Sequence, residues 1–380
     1  MNFKTPRTLV LLLAGGEGNR LEKLTQNRAK PVVPFAGVYR LIDFPLSNCA
    51  HSGLHDVWVV EQFQAHSINW HLGNGRPWDL DKTHGGLQIL PPMQGFSESG
   101  WHQGNADAIW RNEKQIRAFN PELVLVLSAD AIYKLDYRQI IAAHLEKRAE
   151  LTMATLEIDS QEATRFGNVQ TNSRGRVTKF AYKPEKPLGK GGKTHVTTEI
   201  FVYDAQILLE TLEKLAKNTG KPREEAALSD FGHELLPEFV KRERAFAFDL
   251  KGHAAGDYWR DVGTVESYFA ANLEFLENPP FPLDAGEWPI LSRFAPLGAA
   301  KIEGGAQVQN AQICAGAIVA GVVQNSIIGP GATVEKGASV ENCVVLGGAR
   351  ICAGAKVKNA VVDEGQIVRD DAIFEGVGLI

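Results

Sequence analysis

LAGGEGNRLEKLTQNRAKPVVPF, residues 13–35, is the place where an apolar strand runs into a glycine turn and then into spaced cations. Residues 9–14 form a short uninterrupted apolar run, the pattern of a strand buried on both faces of a parallel sheet. Gly15, Gly16 and Gly18 let the backbone turn sharply and point N–H groups at phosphate oxygens. Arg20 and Lys30 add charge-assisted donors on the same segment. Neither common phosphate motif fits: Leu21 stands where a dinucleotide fingerprint has its third glycine, and the GK[ST] of a P-loop is missing. What the stretch predicts is a nucleotide held by backbone and cations at the end of a buried strand.

Outward from that stretch, strand-like runs at residues 57–60, 123–127, 151–156 and 200–203 alternate with helix-like runs at 106–118, 137–148 and 205–215. Such alternation predicts an α/β domain with a mostly parallel sheet over residues 1–277. Residues 278–300 hold Pro279, Pro280, Pro282, Pro289 and Pro296 and read as an extended linker. Beyond it, Asn325, Asn342 and Asn359 recur every 17 residues, as do Gly331, Gly348 and Gly365. A repeat of this kind marks a parallel β-helix over residues 301–380, whose coils stack apolar faces and whose ends need cover.

The 380 residues carry a net charge of −5 with no massed basic run, which speaks against nucleic acid as a partner. Cys49, Cys314, Cys343 and Cys352 lack both CxxC spacing and the density of a secreted scaffold, and so suit a reducing compartment. Residues 9–14 are followed by GGEGNR and not by a small-residue cleavage site, and no run reaches membrane-spanning length. A cytoplasmic protein without membrane contact is the expectation. His51 and His55 have helical spacing but no metalloprotease glutamate, and are expected at the surface.

The string GGEGNRLEKLTQNRAKPVVPF resembles the nucleotide signature of the sugar-1-phosphate nucleotidylyltransferases, and its RAKPVVPF tail resembles the ADP-glucose pyrophosphorylase family. Matching segments follow along nearly the whole chain: YRLIDFPLSN (39–48), EQFQAHS (61–67), WHQGNADA (101–108), SADAIYKLDY (128–137), SDFGHELLP (229–237) and YWRDVGTVESY (258–268). The resemblance implies an α/β fold, a mostly parallel Rossmann-like nucleotidyltransferase sheet followed by a C-terminal left-handed parallel β-helix, assembled as a homo-oligomer, a tetramer. It implies attack of an α-hexose 1-phosphate, glucose 1-phosphate above all, on the α-phosphorus of ATP with Mg²⁺. The nucleophile is already an anion, so the chemistry needs charge neutralisation and in-line positioning and no catalytic serine, cysteine or histidine.

Carried over residue by residue, the resemblance makes Asp130 and Asp261 the metal ligands and places Arg20 and Lys30 with them as catalytic groups. Asp130 follows a buried strand, at the end where open α/β sheets bind ligands. Gly15, Gly16, Gly18, Gln62, Gln103 and Gly104 go to the nucleotide. Lys183, Tyr182, Thr197, Glu199, Asp230 and Trp259 go to the sugar side. In three places the chain departs from the family pattern. Ala131 replaces the histidine of GDH; Val38 stands where many bacterial members carry an activator-binding lysine, which predicts weak activation by sugar phosphates; and Tyr182 and Glu199 replace a glutamate and a glycine near the sugar. The last exchange opens glucosamine 1-phosphate as an alternative acceptor, beside another nucleotide or a non-catalytic relative of the same fold. An acetyltransferase role for the β-helix is disfavoured, because no histidine follows His253.

Overall fold

The computed structural model describes residues 6–91, 102–189, 191–223, 225–284 and 286–380; Trp101 of the WHQGNADA segment lies outside these. The first strand, Thr8–Ala14, lies between Leu123–Ser128 and Asp56–Glu61 and pairs with both in parallel. Its side chains alternate between two cores: Val10, Leu12 and Ala14 enter one, Leu9 and Leu11 the other. Burial on both faces explains why this strand reads as a continuous apolar run.

The sheet has nine strands. In spatial order Val177–Tyr182, Gly167–Thr171, Lys193–Asp204, Leu123–Ser128, Thr8–Ala14, Asp56–Glu61 and Gly86–Leu90 are neighbours, and Leu151–Asp159 joins Lys193–Asp204 to Ala245–Asp249. The half that carries the glycine turn is parallel; Lys193–Asp204 adds antiparallel. The helix Ala205–Asn218 starts where the Asp204 carboxylate accepts the N–H of Ile207 and buries Leu208, Leu209, Leu212 and Ala216. The helix-like run at 106–118 is two helices, Asn105–Arg111 and Glu113–Phe119. They part at buried Asn112, whose side-chain amide donates to Ala108 O at 2.8 Å.

After the helix Val265–Glu277, residues 278–300 run without helix or strand among the described positions, until Lys301–Ile302 begins the solenoid. Here His51 and His55 depart from expectation, because both are half-buried. His51 Nε2 meets Pro289 O at 2.7 Å and its ring lies 4.9 Å from Trp288, which fastens the segment to the helix Asp43–His51.

The C-terminal strands pair in parallel from coil to coil. Ile318, Thr333, Arg350 and Ile367 stand in one row, and Val323, Val340 and Val357 in another, inside the coil. At one corner Asn310, Asn325, Asn342 and Asn359 all have positive φ, between 43 and 55°, which asparagine tolerates better than most residues. Side-chain hydrogen bonds run from Asn310 Nδ2 to Asn325 Oδ1 at 2.9 Å and from Asn342 Nδ2 to Asn359 Oδ1 at 3.1 Å.

One face of the solenoid is covered within the same chain, while Ile302, Ile373 and Val377 toward its ends are exposed. Val344, Leu346 and Val361 share a core with Phe35, Tyr268 and Phe275 of the N-terminal part. Arg28 pairs with Asp363 at 2.7 Å and with Glu364 at 3.2 Å, and Arg40 pairs with Glu364 at 2.9 Å. Gly37 has φ +81°, and a Cβ there would lie 2.5 Å from Cys314 Sγ, so only glycine fits where the two parts meet.

Candidate active site

The glycine turn leaves the first strand beneath Lys30. Gly18 has φ +71°, and a Cβ on it would lie 2.9 Å from Thr25 and 3.0 Å from Lys30. Its carbonyl accepts the Leu21 N–H at 2.8 Å and the Thr25 hydroxyl at 3.1 Å, which closes the turn. Arg20, just beyond, is exposed and makes no ion pair among the described residues.

Lys30 is buried with its ammonium 2.7 Å from Asp130 Oδ2 and 3.2 Å from Asp261 Oδ1. The backbone explains why the two aspartates meet. Asp130 follows the strand Leu123–Ser128, and the short strand Trp259–Asp261 pairs antiparallel with Ala131–Tyr133, with Asp261 opposite Ala131. Burial works against the charge on Lys30, yet the two carboxylates outweigh it and hold its pKa above the ordinary lysine value. Burial likewise pushes Asp130 up, but Lys30 and the hydroxyl of Ser128, which donates to Asp130 Oδ1, bring its carboxyl below the usual range. Both groups therefore stay ionised at neutral pH.

Glu199 faces the same place from the strand Lys193–Asp204, at the break in register between Thr197 and Phe201. Its φ of +58° is unusual for a residue with a side chain. Solvent reaches it, but at the floor of a cleft of about 100 Å³ lined also by Gly15, Gly16, Lys30, Ser128 and Asp130. Burial, and then the charges of Asp130, Asp261 and Asp230, push its carboxyl up to about 7. The cleft thus holds more negative charge than Lys30 alone neutralises.

A second cavity of about 180 Å³ opens beside it, lined by Gly15, Gln62, His102, Gln103 and Gly104. Buried Gln62 donates from Nε2 to His102 O at 3.1 Å, which turns its Oε1 toward Gly15. The Gln103 N–H donates to Asp107 Oδ2 at 3.1 Å. Gly104 is needed for a local reason: a Cβ on it would lie 2.4 Å from the Ser229 backbone. That crossing seats Asp230 beside the nucleotide-side loop.

Sugar-side candidates are grouped less tightly. Tyr182 donates its hydroxyl to Asp230 Oδ2, and burial, followed by that carboxylate, holds the phenol well above its usual pKa. Lys183 is exposed with its ammonium 4.6 Å from the Tyr182 ring centroid. Thr197 is buried against Gly167 and lines neither cavity. Trp259 packs edge-on to Phe166, 5.6 Å away, and its buried Nε1 has no partner among the described residues. Sequence reasoning missed Ser128, His102 and Arg165. The Arg165 guanidinium reaches 3.5 Å from Asp261 Oδ2, and nothing in the TRFG segment signals it.

Residues 9–278 match the family model of nucleotidyl transferases, and residues 298–376 match a GlmU-like C-terminal hexapeptide model. This chain belongs to the nucleotidyl transferase family. It is 38% identical over 334 residues to the glucose-1-phosphate adenylyltransferase of Thermosipho africanus, an alignment that spans 88% of this chain and 77% of that protein. The protein is an enzyme of the nucleotidyltransferase type, and its C-terminal coils are of the hexapeptide-repeat class. Enzymes of this family take a nucleoside triphosphate and a divalent cation. The donor set fits such an ion: hard carboxylate oxygens of Asp130 and Asp261 converge on one ammonium, with excess negative charge around them.

Proposed function

We propose that the protein transfers the adenylyl group of ATP to glucose 1-phosphate, giving ADP-glucose and pyrophosphate for α-glucan synthesis. The observation that carries this reading is the Lys30 ammonium seated between Asp130 and Asp261 at the foot of the glycine turn. Asp130 and Asp261 would hold Mg²⁺, which supplies neutralisation of phosphate charge. Arg20, free of any protein carboxylate among the described residues, lies on the triphosphate and stabilises charge on the departing pyrophosphate. Lys30 stays protonated and orients the phosphate under attack. Gln62 presents Oε1 as an acceptor for the amino group of adenine, since its Nε2 is already bound to His102 O. The sugar phosphate needs no base, because its oxygen is an anion before it attacks.

In this reading residues 1–277 are the catalytic unit, with Lys183, Tyr182 and Asp230 on the sugar side. The β-helix of residues 301–380 contributes to a homo-oligomer, a tetramer, and its end residues Ile302, Ile373 and Val377 are exposed for that contact. The four cysteines are free, which suits the reducing cytoplasm. Pyrophosphate release from ATP, Mg²⁺ and a panel of sugar 1-phosphates tests the assignment; no release with any of them would refute it.

One observation favours a second acceptor. Glu199 opens into the cleft, and a carboxylate there gives the ammonium of glucosamine 1-phosphate a charge-assisted hydrogen bond that a neutral hydroxyl does not match. If so, Glu199→Gly lowers the ratio of kcat/KM for glucosamine 1-phosphate over glucose 1-phosphate about tenfold. An unchanged ratio leaves glucose 1-phosphate as the acceptor.

A further inference from the structure

Arg165 stands at the turn between the short helix Ser160–Ala163 and the strand Gly167–Thr171. Its guanidinium carbon lies 5.7 Å from the Phe166 ring centroid, and Phe166 packs against Trp259, two residues before Asp261. The carbonyl of Phe166 accepts the backbone N–H of Lys183 at 3.1 Å, so Lys183, just past the strand Val177–Tyr182, stands on the segment beside Arg165. Lys183 makes no ion pair among the described residues. Two cations thus stand on adjoining segments, and neither is firmly engaged.

Asp261 is held from two sides, by Lys30 on Oδ1 at 3.2 Å and by Arg165 on Oδ2 at 3.5 Å. The second contact is long, and Arg165 is 43% exposed, so water screens it and little is lost when it breaks. A methyl built on Gly263 would lie 2.8 Å from Asp261 Oδ2, 3.2 Å from Arg20 Nη2 and 3.5 Å from Arg165 Nη2. One small volume is therefore bordered by two guanidinium tips and one carboxylate. A single carboxylate cannot satisfy Lys30, Arg165 and a neighbouring Arg20 together, and a divalent ion arriving on Asp261 would repel all three.

We propose that Arg165 exchanges partners: it pairs with Asp261 while that carboxylate carries no divalent ion, and turns onto the phosphate of the sugar 1-phosphate once it does. The inference rests on the adenylyltransferase reading of the cleft. A planar guanidinium suits a phosphate bidentately, and Lys183 on the adjoining segment brings a second positive charge to the same anion.

The test compares wild type, Arg165→Ala and Arg165→Lys. In a nucleotide-free Mn²⁺ titration followed by electron paramagnetic resonance, Arg165→Ala should bind Mn²⁺ several-fold more tightly, because a competing charge is gone. In turnover, the same variant should raise the KM for glucose 1-phosphate about tenfold, the size of one charge-assisted hydrogen bond, and leave the KM for ATP within about twofold. Arg165→Lys should fall between. Unchanged or weaker Mn²⁺ binding in Arg165→Ala overturns the exchange, and so does an unchanged KM for glucose 1-phosphate. Arg165 is a surface residue, and a matching thermal melt confirms that the variants are folded. A wild type without turnover would instead remove the adenylyltransferase reading, while the Mn²⁺ arm still decides whether Arg165 competes for Asp261.

Discussion

Arg20 and Arg28 leave one short loop for two different clefts. Arg20 borders the same small volume as Asp261 and Arg165, and no carboxylate among the described residues pairs with it. Arg28 turns to the cleft between the N-terminal part and the β-helix, where Asp363 and Glu364 hold it at 2.7 and 3.2 Å. That second cleft is the larger, about 950 Å³, and Val38, Arg40, Trp70 and Arg293 also line it. Two of its three arginines are paired within the chain, since Arg40 shares Glu364 with Arg28, whereas Arg293 donates to Trp70 O, lies against its ring and has no carboxylate partner among the described residues. The first cleft leaves Arg20 without a carboxylate, whereas Arg28 and Arg40 in the second are paired within the chain.

The sharpest way to break this contrast is to remove the two carboxylates that flank Lys30. Asp130→Ala and Asp261→Ala should each lower turnover on the order of a hundredfold or more while the protein stays folded. Turnover within a few fold of wild type in either variant would show that the catalytic cleft does not depend on them.

Glu199 supplies a smaller effect with a defined sign. Its carboxyl is raised in the folded protein to about 7, above the ordinary glutamate value, so the native state holds an extra proton between those two points. Stability is then lost as pH rises toward 7 and stays low above it. Glu199→Gln removes that loss, and its melting temperature in metal-free buffer should exceed wild type by more at pH 8 than at pH 5. A difference that does not vary with pH would place Glu199 outside the negative cluster.

The smallest effect concerns the interdomain cleft. Val38 brings no charge to it, and Arg28 and Arg40 are already paired, so millimolar fructose 1,6-bisphosphate should change turnover by no more than about twofold. Activation of tens of fold would mean that an anion displaces Asp363 and Glu364.

Where one local pattern dictates structure, the sequence was readable. The apolar run at 9–14, the glycines after it and the 17-residue spacing of asparagines each reflect a rule that acts along the chain, and each appears where expected. Asp130 and Asp261 were found through their motifs, but their contact depends on an antiparallel pair formed 130 residues apart, which no local pattern encodes. Glu199 reads from the sequence as a carboxylate near the sugar in place of a glycine. The fold adds that it keeps the glycine-type backbone and lines the cleft beside Lys30 and Asp130. Asn112 looked helical, since nothing in a periodicity tells that a side chain will bond back to Ala108. Arg165 was invisible because its partner comes from another strand, and Asn310 because the step to Asn325 is 15 residues and not 17.

The contrast itself is most directly tested by measuring turnover and thermal melting side by side for Arg20→Ala and Arg28→Ala. Arg20→Ala should lose about a hundredfold in kcat/KM with a melting temperature within about 1 °C of wild type, because its side chain is exposed and unpaired. Arg28→Ala should keep turnover within about threefold and lose roughly 4 °C or more, since Arg28 and Asp363 are each only 11% exposed and the carboxylate is left without its partner. The account is contradicted if Arg20→Ala turns over like wild type, or if Arg28→Ala melts like wild type.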